Sequence, residues 1–141
     1  MSTRSLVRFA KREEGVSFSE HPERVEVQVY KHYDGYPSGH PVDLAKFLDG
    51  FKVVNGLGQD TYKVANGAGC LAAQYVSAFK ESPGDIYIEN PDEKHMDIEY
   101  ITYVWGDDSK GIWMSIFDVY DKECIFVGKP EVLIDKYEYN D

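Results

Sequence analysis

The sequence has little cysteine, since Cys70 and Cys124 are the only two and lie far apart. Two cysteines cannot form the framework of bridges that stabilises small secreted proteins, so we predict buried thiols in a reducing compartment. No run of apolar residues approaches the roughly 18 that a membrane-spanning helix needs. Arg4 and Arg8 interrupt the short apolar stretch near the start, which argues against a signal peptide. These absences together predict an intracellular protein that does not enter a membrane.

Motifs that would assign a metal or a cofactor are also missing. The four histidines do not have the spacing of metal ligands. The glycine-rich stretch 66–70 lacks the Gly-Lys-Ser/Thr ending of a phosphate-binding loop. The acidic stretch 89–99 contains one histidine and matches neither an EF-hand nor a zinc pattern. We therefore predict no metal, no cofactor and no catalytic residue, and the pattern favours a non-enzymatic role over an enzyme.

The sequence does contain enough apolar residues to build a core. It has 141 residues, of which 43% are hydrophobic and 14% aromatic. A chain of this length is close to the commonest domain size, and it buries roughly two-thirds of its unfolded surface without metals or disulfides. Because no repeat or long linker divides it, we predict a single domain over residues 1–141.

Acidic residues are concentrated in the second half of the chain. Residues 1–83 contain ten Asp or Glu and ten Lys or Arg, whereas residues 84–141 contain fifteen acids and five lysines. The net charge of −10 therefore comes from the second half. A surface of that sign attracts a basic partner and repels a nucleic-acid backbone, which argues against direct nucleic-acid binding. The alternative is a solvated surface that keeps the protein soluble.

The spacing of apolar residues predicts an α+β fold. Helical periodicity indicates helices at 41–51, 68–80 and 130–137. Alternation indicates strands, and in the clearest of them Val25, Val27 and Val29 are predicted to share one face. This grouping favours a largely antiparallel sheet of five or six strands, with two helices packed on one face and a short C-terminal helix. The predicted strands are 5–10, 24–33, 61–64, 85–89, 97–105, 111–120 and 123–127.

The densest group of polar and aromatic residues is the stretch 30–37, Tyr-Lys-His-Tyr-Asp-Gly-Tyr-Pro. In an extended strand, Tyr30, His32 and Asp34 lie on the same face. A histidine beside a carboxylate can be held in one tautomer and act as a base, and Tyr36 adds a nearby aromatic side chain. The functional interpretation is a binding site at a strand-to-helix junction. The structural alternative is a strand end at which Asp34 caps a turn and the tyrosines pack.

A second candidate lies at the predicted start of the second helix, where Asn66, Gly67 and Cys70 occur. Unpaired N–H groups at a helix start can hold an anion and can activate a thiol. Together with the segment His32–Tyr36, these residues would form a small-molecule or nucleotide site. The simpler alternative is that the glycines let the helix pack closely on the sheet.

A third candidate is the aromatic hairpin formed by the predicted strands 97–105 and 111–120. Both of its faces carry apolar side chains, and Trp105 and Trp113 flank its turn. One face would pack under the helices, and the other would be covered by the N-terminal strands or by another subunit. The two tryptophans and the acids around the hairpin would form a partner surface. Those acids are Asp92, Glu93, Asp97, Asp107 and Asp108.

Two segments resemble a group of small uncharacterised proteins from bacteriophages and prophages. The stretch 30–37 is similar to their Tyr-x-His-x-Asp-Gly-Tyr-Pro stretch. The segment 125–134, Ile-Phe-Val-Gly-Lys-Pro-Glu-Val-Leu-Ile, resembles their C-terminal end more loosely. The resemblance implies a viral origin and expression in the host cytoplasm. The group has no assigned activity, so the resemblance implies no catalytic residue.

Three functions are compatible with these features. The leading hypothesis is a phage-encoded, non-enzymatic binding protein that inhibits or modulates a host protein, such as a defence nuclease or a polymerase, through its acidic surface. The second is a protein that binds or processes a small molecule or nucleotide between His32–Tyr36 and Gly67–Cys70. The third is a structural protein that self-associates through the two-sided hairpin, which would make it a homo-oligomer.

Overall fold

The computed structural model describes residues 2–11, 22, 24–54, 63–107 and 111–139. Over these residues the strands and helices confirm the predicted α+β class. In chain order they are β1 (Ser5–Lys11), β2 (Arg24–Lys31), α1 (His40–Leu48), β3 (Lys52–Val54), β4 (Val64–Asn66), α2 (Gly67–Phe79), β5 (Ile86–Glu89), β6 (Tyr100–Asp107), β7 (Gly111–Asp118), β8 (Glu123–Gly128) and α3 (Pro130–Tyr137). The predicted strand 61–64 begins outside the described residues, and β3 has no counterpart in the sequence prediction.

Six strands form one sheet in the order β5-β2-β1-β6-β7-β8, and β3 pairs with β4 separately. Neighbours in the large sheet are antiparallel except β1 and β6, which are parallel. Because β5 lies at one edge and β6 pairs with the far side of β1, the connection between them must cross both β2 and β1. That crossing covers about 14 Å, since neighbouring strands are about 4.8 Å apart. We call this connection, residues 90–99, the strap.

The helices cover one face of the large sheet and enclose the main core. Leu44 and Leu48 recur at helical spacing in α1, as do Leu71 and Tyr75 in α2, and all four side chains are buried. The main core also takes the alternate residues of the strands, because successive strand side chains point to opposite faces. Truncation of a buried leucine such as Leu44 to alanine typically costs about 2–5 kcal/mol, so these positions dominate stability.

The opposite face of the sheet carries a smaller apolar cluster. Ala10, Tyr103 and Trp105 are buried there, and Trp113 and Phe117 pack against them while remaining partly exposed. Trp105 pairs with Trp113 directly across the hairpin. Since Trp105 is only 1% exposed, the structure places it inside the chain and not on a partner surface. The second apolar face of the hairpin is thus partly covered within one chain, which weakens the physical reason for self-association.

A β-bulge in β2 changes which side chains share a face. Phe9 pairs with Val27, but the next residue of β1, Ala10, pairs with Val25, so Glu26 is an extra residue in β2. As a result Val27 packs against the main core and Val25 packs against the smaller cluster. The expectation that the valines of this strand share one face was wrong at Val25, because it assumed unbroken alternation.

The strand β2 also ends earlier than predicted. Its last residue is Lys31, and Asp34 has a φ of 62°, in the left-handed region that non-glycine residues rarely adopt. The chain there turns back against β1, and a Cβ added to Gly35 would lie 2.4 Å from the Oγ of Ser5. Glycine is therefore required at position 35 by close packing, which accounts for part of the stretch 30–37.

Candidate functional site

The structure brings together only part of the first predicted group. The hydroxyl of Tyr30 and the Nδ1 atom of His32 lie 3.0 Å apart, within hydrogen-bond distance. The Asp34 carboxylate is not the partner of this ring, because the left-handed backbone at Asp34 breaks the strand alternation. The carbonyl of Asp34 instead accepts a hydrogen bond from the N–H of His40 at 2.7 Å. The residues that follow β2 therefore form a turn, and the side chain of Tyr36 in this turn is exposed.

The second predicted group lies elsewhere in the molecule. Gly67 and Cys70 are in the first turn of α2, with Asn66 just before it, and Cys70 is exposed with its Sγ 3.6 Å from the Oε1 of Gln74. The helix packs on the main core, whereas Tyr30 lies on the opposite face of the sheet. It is the far end of α2 that approaches the stretch 30–40, and that end is about 13 Å along the helix axis from Cys70. The structure therefore does not assemble the predicted two-part site.

A different polar cluster is formed where the strap crosses β2 and β1. Arg8 and Gln28 are directly opposite each other in the antiparallel register, on the face away from the helices. The Nε2 of Gln28 donates to the Oε1 of Glu89 at 2.9 Å and to the carbonyl of Glu93 at 3.0 Å. The guanidinium of Arg8 donates to the carbonyl of Pro91 at 2.9 Å. These bonds fasten the strap to the sheet.

A histidine–carboxylate pair joins the strap to β5. The Nε2 atom of His95 lies 2.8 Å from both carboxylate oxygens of Glu89. The imidazole ring also stacks on the ring of Tyr30, with centroids 4.6 Å apart and planes 14° from parallel. Burial is the main cause that raises the pKa of Tyr30, and nearby Arg4 opposes this effect. The sequence analysis expected a histidine–carboxylate pair within 30–37, whereas this one joins the strap to the edge strand β5.

An open cleft of about 660 Å³ lies between the strap and the sheet. Its walls are formed by side chains of β1 and β2 and by the strap. They are Leu6, Arg8, Gln28, Pro91, Asp92, Glu93, Lys94, His95 and Ile98. Two buried polar atoms at this cleft, the Oε1 of Gln28 and the Nε of Arg8, have no hydrogen-bond partner among the described residues. Buried polar atoms without partners are uncommon in folded proteins, so they mark a place that another molecule can satisfy.

A second histidine is buried on the helix side of the sheet. The Nε2 of His40 lies 2.6 Å from the hydroxyl of Tyr75, and its ring packs edge-on against Phe79. Burial, together with the positive charge of Lys31, lowers the pKa of His40 to about 3. Lys31 itself donates to both carboxylate oxygens of Asp85, at 2.6 and 2.8 Å. His40 is therefore neutral at pH 7, and its surroundings are those of a packed core residue.

Carboxylates gather at the end of the sheet where β6 begins and β7 ends. Glu99 is next to Tyr100 in the chain, and Asp118 pairs across the sheet with both Tyr100 and Glu123. Burial raises the pKa of Tyr100, and the negative charges of Asp118, Glu99 and Asp121 also raise it. These three carboxylates therefore all lie close enough to Tyr100 to affect its hydroxyl. Tyr120, in the turn between β7 and β8, is 91% exposed. We call Glu99, Asp118, Tyr120, Asp121 and Glu123 the acidic end.

The carboxylates of the acidic end form no ion pair among the described residues, although Lys122 lies exposed in the same turn, whereas some other acids of the second half are paired. Other acids of residues 84–141 pair with cations of residues 1–83. These pairs are Lys31–Asp85, Arg4–Asp97 and Lys46–Glu138. The negative field is thus more local than the division of the sequence into halves predicts.

The predicted partner surface is divided by the fold. Asp92 and Glu93 are exposed on the strap, while Asp97 is bound to Arg4. Trp113 is half-buried in the smaller apolar cluster. The side chains of Asp107 and Asp108 lie outside the described residues.

Sequence reasoning missed Arg8 and Gln28, and it did not single out the acidic end. A signal for the first two was available, because each is a polar residue between apolar neighbours in a predicted strand. Such residues point to the face that the main core does not use. Asp118, Asp121 and Glu123 are close together in the sequence, but Glu99 is 19 positions before Asp118, and the pairing of β6 with β7 brings it to the same end of the sheet.

Within the described ranges, no group of three or more His, Cys, Asp or Glu side chains is placed to hold a metal ion. The helices described there are all too short or too polar to cross a bilayer. The chain matches no protein-family model, no curated protein and no solved structure.

Proposed function

We propose that the protein is a binding protein whose acidic end docks on a basic surface of a partner protein. The observation that carries this proposal is the exposed ring of Tyr120 among carboxylates that have no cationic partner in the described chain. Tyrosine is enriched at the centres of protein interfaces, where its ring supplies a large contact area at a low entropic cost. Arginine and lysine side chains also bind aromatic rings directly. An exposed aromatic ring in a turn that carries several carboxylates is therefore suited to a surface rich in arginine or lysine.

The fold bears an electrostatic cost at the acidic end that a basic partner would relieve. Asp118 and Glu123 are directly opposite each other on neighbouring antiparallel strands. Like charges in that arrangement destabilise a sheet, each pair by a few tenths of a kcal/mol to about 1 kcal/mol. A cation placed between them would replace this repulsion with attraction. Binding would therefore depend on salt, because exposed charges are screened over about 8 Å at physiological ionic strength.

The identity of the partner class comes from the sequence resemblance to bacteriophage proteins. In that setting the partner is a host protein, such as a defence nuclease or a polymerase, which the protein inhibits or modulates in the host cytoplasm. The local character of the unpaired charge supports a compact contact around Tyr120 over a broad contact along the whole second half of the chain.

The test is capture of host proteins from a lysate with two matched variants. The first variant removes the charges of the acidic end with isosteric changes: Glu99→Gln, Asp118→Asn, Asp121→Asn and Glu123→Gln. The control removes the same number of charges at exposed positions elsewhere: Asp43→Asn, Glu81→Gln, Asp92→Asn and Glu131→Gln. Asn at position 118 keeps an oxygen that can accept the turn bond from the N–H of Asp121, which is 3.0 Å long. Both variants therefore reach the same net charge with the turn preserved.

We expect the unaltered protein and the control to capture the same partner at low salt, and the acidic-end variant to lose it. Raising the salt concentration should weaken capture by the unaltered protein. Equal capture by the two variants would show that only net charge matters and would contradict a docking site at the acidic end. Absence of any partner at both salt concentrations would also count against the proposal.

A further inference from the structure

Gln28 is buried under the strap with only part of its hydrogen-bonding capacity in use. Its side chain is 0% exposed, and its Nε2 already donates two bonds, to Glu89 and to the carbonyl of Glu93. Both of those partners can only accept, so the amide nitrogen must face them and the amide cannot be reversed. The Oε1 atom therefore points away from Glu89 and from the carbonyl of Glu93, and no donor among the described residues bonds to it.

Arg8 presents the complementary group on the neighbouring strand. Two of its guanidinium nitrogens contact the carbonyl of Pro91 and the hydroxyl of Tyr103, at 2.9 and 3.3 Å. Its Nε atom is buried and has no acceptor among the described residues. Because Arg8 and Gln28 are opposite each other in the register, an unused donor and an unused acceptor lie on neighbouring strands at the same cleft.

From this juxtaposition we infer that the cleft under the strap is a binding site for a small neutral ligand that carries a hydrogen-bond donor beside an acceptor. The ligand would donate to the Oε1 of Gln28 and accept from the Nε–H of Arg8. That pattern is found in the –NH–C=O edge of a nucleobase and in a primary carboxamide. The open cleft beside these two buried atoms has a volume of about 660 Å³, which is within the range of small-molecule sites and exceeds what one water molecule needs.

The charges around the cleft favour a neutral ligand over a phosphorylated one. Asp92 and Glu93 lie in its wall and offset the positive charges of Arg8 and Lys94. Glu89, bonded to Gln28, adds a further carboxylate nearby. A phosphate group would meet no excess of positive charge there, and its own charge would be poorly compensated. This inference stands apart from the acidic end, which involves none of these residues.

The strap must move for a ligand to reach Gln28, because that side chain is sealed from solvent in the described conformation. Gln28 and Arg8 hold the strap through the backbone carbonyls of Glu93 and Pro91. A ligand that engages the remaining atoms of the same two side chains would therefore change the environment of strap residues on binding. Binding can therefore be followed by NMR through the backbone amide resonances of the strap.

The test is an NMR titration of the full ¹⁵N-labelled chain with uridine, nicotinamide and uridine monophosphate as probes, each to about 10 mM, a range that detects millimolar dissociation constants. We expect saturable shifts for uridine or nicotinamide in strap residues 90–98 and in the side-chain amide of Gln28. Response to uridine alone assigns a nucleobase edge, and response to nicotinamide alone assigns a carboxamide. Uridine monophosphate should bind more weakly than uridine.

Three variants separate binding from folding. Gln28→Met keeps the length of the side chain but removes the acceptor together with the two Nε2 bonds to Glu89 and Glu93, whereas Arg8→Lys keeps the charge and the bonds of Gln28 and removes the Nε–H group. Each should weaken binding about tenfold, the usual effect of one buried hydrogen bond. Ser115→Ala removes a buried hydroxyl on the same face of the sheet but away from the cleft, so its affinity should be unchanged. The inference is overturned if no probe gives saturable shifts, which would mean that the cleft holds water only. Equal affinity in Arg8→Lys and the unaltered chain would also overturn it.

Discussion

The neutral, buried His40 predicts a specific loss of stability as the pH falls. Its pKa is about 3 in the folded chain, against an ordinary value of 6.5. Between these two values the unfolded chain binds a proton at His40 and the folded chain does not. The contribution of this histidine to stability is therefore fully present above about pH 6.5 and is lost progressively as the pH falls toward 3.

The size of the effect follows from the two pKa values. At pH 5 the unfolded chain gains about 2 kcal/mol from protonation of His40, while the folded chain gains almost nothing. The full shift corresponds to about 5 kcal/mol, reached only below pH 3, which is comparable with the total stability of many domains. The range above pH 5 is the informative one, because ordinary carboxylates titrate near pH 4 and would add their own slope below it.

Urea unfolding followed by circular dichroism between pH 5 and 8 measures this slope. The variant His40→Gln cannot titrate and should show a free energy of unfolding that is nearly constant over this range. The control His32→Gln should keep the slope of the unaltered chain, because it leaves His40 in place. A slope that persists in His40→Gln would assign the pH dependence to another group and refute the reasoning.

Three further substitutions test the packing around the site by urea unfolding at pH 7. Lys31→Met leaves the carboxylate of Asp85 without a counter-charge and should lower the free energy of unfolding by about 1–3 kcal/mol. The loss is limited to this range because Asp85 is partly solvated. An unchanged free energy of unfolding would show that the ion pair contributes nothing to stability. Ser115→Ala removes a buried hydroxyl that has no partner among the described residues and should stabilise the chain by about 1 kcal/mol, whereas a loss would mean the hydroxyl is bonded. Gly106→Ala would place a Cβ 2.4 Å from the Cβ of Val53 and should destabilise by about 1–3 kcal/mol; a neutral result would place β3 further from β6.

Local periodicity predicted most elements of the fold to within a few residues. Hydrophobic spacing identified α1 and α2, and Pro130 marked the start of α3 because proline suits the first turn of a helix. The short strand β3 has no such signal, since three residues are too few to show alternation. The parallel pairing of β1 with β6 is a contact between distant segments, and nothing in either strand alone specifies it.

The candidate sites were harder to predict than the fold because each depends on one non-local feature. The grouping of His32 with Asp34 assumed an extended backbone. Asp34 has a left-handed backbone conformation instead, so the strand alternation that would place the two side chains on one face does not continue to it. The stretch 90–99 has the composition of a solvated loop, yet the order of strands in the sheet forces it across Arg8 and Gln28. Charge counting located the acidic half of the chain but could not show that Arg4 and other distant cations neutralise part of it.

The docking of the acidic end on a basic partner is tested most directly by calorimetric titration of the captured partner with two tyrosine variants. Tyr120 and Tyr139 are almost equally exposed, at 91% and 92%, but only Tyr120 lies in the same turn as Asp118, Asp121 and Glu123 of the acidic end. We expect Tyr120→Ala to weaken binding about tenfold or more, as truncation of a central interface residue does, and Tyr139→Ala to leave the affinity unchanged. Equal affinities for both variants and the unaltered protein would contradict the proposed site.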